Sequence, residues 1–380
     1  MLFDNTKIGF VLKSNFELEK AYFLFKIISN KTLTDFGKIL LNIILTFKLP
    51  LLFIVKRTVF QQFCAGSNLE ECMETVNKLF SKNVYSYLSY SVEGAQNNDS
   101  LEKSCQNVID SIEFASDKKN IPFTVFKPTA ISKTDNLMRG EIDKIIFDRF
   151  DRICKKASEK NVKILIDAEE SWIQDSIDSI VLMMMKKYNK QKTIVFNTVQ
   201  MYRHDRLEYL KDLHNSSKQN DFEIGIKLVR GAYIEKENIR AKKLNYKSPI
   251  CESKKASDDN YNSGVRFIIL NLDKFNLFCG THNEESIYKI INMINQMGME
   301  RSSDKIWFGQ LLGMSDHITF NLANENYNVV KYLPYGPIKE VMPYLIRRAE
   351  ENTSVKGQTS RELTLIKNEI SRRRKTSQLA

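Results

Sequence analysis

From Val84 onward, short apolar or β-branched runs are each followed by ten or more residues of amphipathic helical pattern, and this alternation constrains the fold more than any other feature. The runs are VYSYLSYSVE from Val84, PFTVFKPT from Pro122, KILIDAEE from Lys163, TIVFNTVQMY from Thr193, EIGIKLVRGAY from Glu223, LFCGTHN from Leu277, KIWFGQLLGM from Lys305 and NVVKYLPYG from Asn328. Eight such units over about 270 residues predict an α/β chain folded as a (β/α)8 barrel, which typically takes about 250 residues. A doubly wound sheet is the alternative. The expected organisation is an N-terminal helical arm over residues 1–80, the barrel over 81–352 and a charged C-terminal helical tail over 353–380.

The arm reads as helices. FELEKAYFLFKII has apolar residues at steps of three and four, and SNLEECMETVNKLF opens with Ser67 and Glu70 spaced as a capping box. Between them lies the only stretch that invites a membrane reading, Ile39 to Val55, which is broken by Asn42, Lys48 and Pro50. A spanning helix needs about 20 mostly apolar residues. The stretch therefore predicts a packed helix pair, with contact at a bilayer interface as the alternative and Lys38, Lys48, Lys56 and Arg57 as its basic flank.

Composition excludes several classes. Hydrophobic residues make up 42% and charged ones 27%, the balance of a folded soluble protein. The 57 Lys and Arg against 46 Asp and Glu give 57 − 46 = +11, a surplus that favours anionic partners without choosing among them. SRRRK at 371–375 would serve nucleic acid, but it sits in what reads as a solvated helical tail with no recognition motif, so no nucleic-acid partner is expected. Cys64, Cys72, Cys105, Cys154, Cys251 and Cys279 show no zinc spacing and read as buried thiols of a reducing compartment; no metal is expected. The first residues carry neither a secretory signal nor an Arg-rich presequence, which favours the cytoplasm.

The chemistry is carried by the strand ends. Lys127, Asp167, Gln200, Arg230, Thr281, Gln310 and Tyr332 stand where a purely structural strand would turn, and barrel active sites are built at the carboxyl ends of strands. No GxGxxG or GxxxxGK[ST] occurs, so a phosphate site must come from elsewhere. THNEES offers one: Thr281 and Glu284 are spaced as a capping box at a helix start, with His282 beside them as a donor. Arg347 and Arg348 are adjacent on the last barrel helix and suit a small carboxylate, and Glu351 can hold the Arg347 guanidinium in place.

These residues are specific enough to carry a family resemblance. FKPTA, LIDAEESW, KLVRGAY, GTHNEES, FGQLLGMSDH and YLPYGPIKEVMPYLIRRAEENT, with MYRHDRLEYL and TSRELTLI, resemble proline dehydrogenase in its stand-alone form from about residue 60 to 365. The resemblance implies an FAD-containing barrel that oxidises L-proline to Δ1-pyrroline-5-carboxylate by hydride transfer to flavin N5 and passes the electrons to a membrane quinone, the first step of proline catabolism. It further implies that Arg347 and Arg348 hold the proline carboxylate, that Lys127 and Asp167 close the pocket by pairing with acids and arginines, and that Tyr233, Leu312 and Tyr332 wall the proline ring. On the cofactor side it implies Gln200 at the flavin edge, Lys227, Val229 and Gly231 along the strand beneath it, Thr281, His282 and Asn283 at phosphate and ribityl groups, Gln310 nearby, and Glu351. Lys227 stands where the bifunctional bacterial relatives carry Arg, and Ile234 where they carry an aromatic residue. The implied setting is a bacterial cytoplasm with peripheral contact at the inner membrane, or a mitochondrion if the host is eukaryotic.

Removing hydride from a ring carbon next to nitrogen needs positioning and exclusion of water more than acid or base, which suits a chain without a nucleophilic triad or a metal cluster. Two enzyme alternatives keep the barrel and change the substrate. A large phenol at Tyr332 leaves little room for a 4-hydroxyl, which argues against hydroxyproline, and the arginine pair argues against a folate.

Overall fold

In the computed structural model the described residues are 1–30, 32–35, 37, 52–90, 97–354 and 358–378, side chains at 52, 54, 349–359 and 377 excepted. All eight strand runs form strands: β1 (Val84–Tyr90), β2 (Phe123–Phe126), β3 (Lys163–Ile166), β4 (Val195–Gln200), β5 (Ile224–Val229), β6 (Phe275–Gly280), β7 (Ile306–Leu311) and β8 (Val329–Tyr335). Their order is a closed barrel, β1 to β8 in sequence, and the register pairs are parallel. The fold is a (β/α)8 barrel, which sets aside the doubly wound sheet. Parallel strands are covered on both faces. Accordingly β2 and β4 are buried at every residue.

The chain falls into two compact units, Gly94–Gly309 and Met1–Glu93 with Gln310–Ala380. The division at 80 and 352 follows the sequence pattern and stands as a proposal. In the first unit the helices longer than two turns are α3 (Asn98–Ser116), α4 (Lys144–Lys160), α5 (Ser171–Tyr188), α6 (Arg206–Asn220), α7 (Ile234–Leu244), α8 (Lys254–Ile269) and α9 (Glu284–Gln296). The second unit holds α1 (Asn15–Ile28), α2 (Leu69–Phe80), α10 (Asp316–Asn324), α11 (Ile338–Ser354) and α12 (Gln358–Gln378).

Three local expectations are corrected in the second unit. The cap of α2 is one residue later than the spacing suggested: Asn68 Oδ1 accepts from Glu71 N at 2.8 Å, and the Glu71 carboxylate takes Ser67 N at 2.8 Å. Asn68 wins over Ser67 because the chain leaves the extended region only after it. Tyr332 is not a strand end, since pairing with β1 continues to Tyr90↔Tyr335.

The tail is not a solvated helix. Leu365 and Ile366 of α12 are buried in one cluster with Phe10, Leu18 and Phe25. Arg373 donates to the carbonyls of Phe10 and Lys13, so this arginine of the basic run is spent inside the unit, while Arg374 and Lys375 stay exposed. Burial would push the Glu369 carboxyl up, but Arg372 and Arg373 overcome it and hold it down at about 2. Of the Ile39 to Val55 stretch, only 52–55 are described, so the helix-pair and bilayer readings lie outside the described residues, as do Lys38 and Lys48. Among the described residues no helix is long and apolar enough to cross a membrane.

Candidate active site

In the Gly94–Gly309 unit the alternation of strand side chains is fixed by what each one meets. Asn197 of β4 donates to Asp178 of α5 at 2.8 Å and to the Tyr209 hydroxyl of α6 at 2.8 Å, so it faces the helices. Its neighbours Phe196 and Thr198, and then Gln200, therefore face the lumen. At the amino end the lumen is filled: Phe123 meets Phe196, Phe278 and Trp307 edge-on at centroid distances of 5.8, 5.2 and 5.1 Å. Lys163 lies 5.4 Å from the Phe123 ring centre and 5.2 Å from that of Trp307, with its charge met by Asp304 at 2.5 Å.

The carboxyl end of the same strands is polar. Lys227 of β5 donates to Asp167, after β3, at 2.6 Å. Lys127, after β2, lies 3.4 Å from the Tyr233 hydroxyl. Asp167 thus meets a lysine where an arginine was expected, while Lys127, besides the phenol, acts on the charge of the Glu169 carboxyl, an acid of the expected kind. Burial raises the Tyr233 hydroxyl to about 12, with Lys127 opposing. Gln200 is tied at both ends of its amide, donating to Glu169 O at 2.8 Å and accepting from Ala232 N at 3.2 Å. Gly231 has φ +140°, and a Cβ there would meet the Tyr202 ring at 2.4 Å, so only glycine fits.

Glu169 was not singled out in the sequence, and Arg230 was named only as one of the strand-end polar residues. The Glu169 carboxylate accepts from Thr129 N at 2.8 Å and Thr129 Oγ1 at 2.6 Å; burial pushes its pKa up against the pull of Lys127 and Thr129. Its only sequence signal is its place in the acidic run after β3. Arg230 donates to Asp258 at 2.6 Å, Thr281 at 2.8 Å and Ser286 at 3.0 Å, and lies 4.4 Å over the Tyr261 ring. The predicted Thr281/Glu284 box is corrected: Asn283 caps α9, accepting from Ser286 N at 2.8 Å, while Thr281 accepts from Arg230 and from Asn283 N at 3.1 Å. Asn283 is the last extended residue before the helix, which makes it the cap. His282 is half-buried in the same turn, and Val229 lies close to Gly280.

In the other unit an aromatic series leads to the arginine pair. The Tyr332 ring lies 5.2 Å from Tyr87 and 6.0 Å from Tyr344, and the Arg348 guanidinium lies 5.2 Å over the Tyr344 ring. Leu312 N donates to Tyr332 O at 3.0 Å, which joins these two predicted wall residues by one backbone bond. Arg347 is half-buried beside Arg348 on α11, and the Glu351 side chain lies outside the described residues. Gln310 is placed differently from expectation: its Oε1 accepts from Thr319 of α10 at 3.0 Å, on the helix-facing side of β7.

A parallel barrel with buried polar groups concentrated after its strands defines an enzyme of the (β/α)8 class. The proline dehydrogenase family model matches residues 72–361, and the chain belongs to that family of oxidoreductases. It is similar to the carbapenem antibiotics biosynthesis protein CarD of Pectobacterium carotovorum subsp. carotovorum, at 33% identity over 322 residues, 82% of this chain and 83% of that protein. It is also similar to the mitochondrial proline dehydrogenase 1 of Dictyostelium discoideum, at 30% identity over 428 residues, 97% of this chain and 74% of that protein. Among solved structures, proline utilization A from Bdellovibrio bacteriovorus superposes with a TM-score of 0.72 at 19% identity over 79% of this chain and 33% of that longer one, a likeness of fold.

Proposed function

We propose that this chain oxidises L-proline to Δ1-pyrroline-5-carboxylate with FAD as its cofactor, and that the electrons pass to a membrane quinone, in the first step of proline catabolism. The observation that carries this reading is the series Tyr332, Tyr344 and Arg348, because it sets a cation suited to a carboxylate one ring away from an apolar wall suited to a small saturated ring. Arg347 and Arg348 bind the substrate carboxylate through charge-assisted hydrogen bonds. Tyr332 and Leu312 hold the ring carbons, and Tyr233 is a further wall. Lys127 and Asp167 keep charge near the pocket and water out of it. As the ring C–H breaks, its electron pair leaves as hydride, the amine loses a proton and a C=N bond forms.

The donor set fits a flavin. Gln200, Lys227, Val229 and Gly231 follow one another along β4 and β5 and the turn after them, and Thr281, His282 and Asn283 cluster where α9 begins. Thr198 Oγ1, lumenal, buried and two residues below Gln200, has no hydrogen-bond partner among the described residues. FAD, when bound, supplies the hydride acceptor. The membrane contact is peripheral, on the cytoplasmic face of a bacterial inner membrane or, in a eukaryotic host, in the mitochondrion. The test is purified protein given proline with a soluble quinone analogue, with NAD, or with oxygen alone. Quinone reduction alone is expected; NAD turning over as well as quinone would overturn the assignment.

A further inference from the structure

The segment from Leu311 to Asp316, which joins the end of β7 to the start of α10, carries Leu312 and is held at nearly every position by side chains packed around it. We propose that Lys331 is the positioning residue of the substrate wall: its ammonium pins this loop against β8, so that Leu312 and Tyr332 keep one fixed spacing. The proposal rests on the reading of Leu312 and Tyr332 as the ring wall.

Lys331 is fully buried on the helix-facing side of β8, with Tyr332 on the next position and therefore on the opposite face. An ammonium has three N–H donors. Here each finds an acceptor on the same loop: Met314 O at 2.5 Å, Asp316 Oδ1 at 2.9 Å and Leu311 O at 3.2 Å. Fixing the carbonyls of residues 311 and 314 fixes the direction of the two residues between them. Leu312 N then closes on Tyr332 O at 3.0 Å.

Other elements hold the same loop from outside. Gln62 Nε2 donates to Gly313 O at 2.8 Å, and Gly313, at φ +75°, has no room for a Cβ because Gln62 O would lie 2.0 Å from it. Ser315, at φ +52°, donates its N–H to the Glu362 carboxylate of α12 at 3.0 Å. Lys13 reaches Asp316 at 3.5 Å. A loop needed only for connection would not call for a buried charge with every donor matched to it, since such a charge is costly to desolvate.

The test has two arms. In the wild-type chain, amide exchange at Leu312 and Ser315 should be as slow as in β8; exchange at the rate of an open loop would overturn the pinning, whatever the substrate proves to be. In the second arm Lys331→Met is paired with Asp316→Asn, so that the buried ammonium and the carboxylate bonded to it are removed together. The proline KM should rise about tenfold with kcat within about twofold, and the ratio of hydroxyproline to proline kcat/KM should shift with it. A folded double variant with unchanged KM and ratio overturns the proposal. Should it not fold, Gln62→Leu, at the half-buried end of the same clamp, must move both quantities by about threefold in the same direction, and no movement overturns the proposal. Wild-type protein that does not oxidise proline would defeat the functional reading, and exchange at Leu312 would still decide the pinning.

Discussion

The two ends of the lumen in the Gly94–Gly309 unit are made by the same strands and do opposite work. At the amino end β2, β3 and β4 supply Phe123, Lys163 and Phe196, and the lysine is absorbed into an aromatic cluster and an ion pair with Asp304. Four residues further along each chain segment stand Lys127, Asp167 and Gln200, and these meet a phenol, a buried lysine and two backbone groups. A period of two explains why both triplets face inward. One end closes the barrel by packing, and the other keeps polar groups poised by pairing them with one another.

That contrast can be broken from either side. The largest effect is expected at the packed end: Phe123→Ala should lower the unfolding free energy by about 3–5 kcal/mol, read by denaturant titration, while proline KM stays as it was. A large KM change would mean that the plug is part of the site. At the polar end, Asp167→Ala strips a charge-assisted bond from Lys227 and should cost about 2 kcal/mol together with a loss of kcat/KM of about tenfold or more. The apolar pair Asp167→Leu with Lys227→Met should recover stability and leave turnover low; recovery of both would make the pair structural only. Tyr332→Ser should raise the ratio of hydroxyproline to proline activity about fivefold, by opening room beside the ring. An unmoved ratio would take Tyr332 out of the pocket.

The smallest effect separates charge that serves the fold from charge that serves the site. Burial would raise the Asp205 carboxyl, but Arg206 and Arg203 bind it and lower it from 3.8 to about 2. A carboxyl depressed on folding stabilises the native state above its unfolded pKa, and that contribution fades as pH falls from 3.8 through about 2. Asp205→Asn should therefore flatten the acid limb of the stability curve over this window without changing proline turnover at neutral pH. A turnover loss would put Asp205 in the site.

The barrel was legible because parallel strands buried on both faces write themselves as apolar runs, and every run found its strand. Five of the seven polar residues read as strand ends, Lys127, Asp167, Gln200, Arg230 and Thr281, were legible for the same reason, while Gln310 and Tyr332 fall inside their strands. The partners of the strand-end residues were not legible. Nothing in DAEE says that Glu169 takes both donors of Thr129, or that Asp167 chooses Lys227, because those choices depend on strands paired across many tens of residues. The caps of α2 and α9 were misread by one or two positions, since capping boxes are found by spacing while the cap itself is set by where the backbone turns helical. The tail was misread because charge pattern alone cannot tell a solvated arginine from Arg373, whose donors are taken by the carbonyls of Phe10 and Lys13.

In the proposed function the cation over the Tyr344 ring, one ring from Tyr332, recognises the carboxylate of a small ring substrate. This recognition is tested most directly by steady-state proline oxidation in Arg348→Met, with Arg347→Met and the double variant alongside. A charge-assisted hydrogen bond is worth roughly 1.5–3 kcal/mol, so kcat/KM should fall about ten to a hundredfold in each single variant and less than additively in the double, with thermal stability and bound flavin unchanged. A kcat/KM for proline equal to that of the wild-type protein would contradict the account.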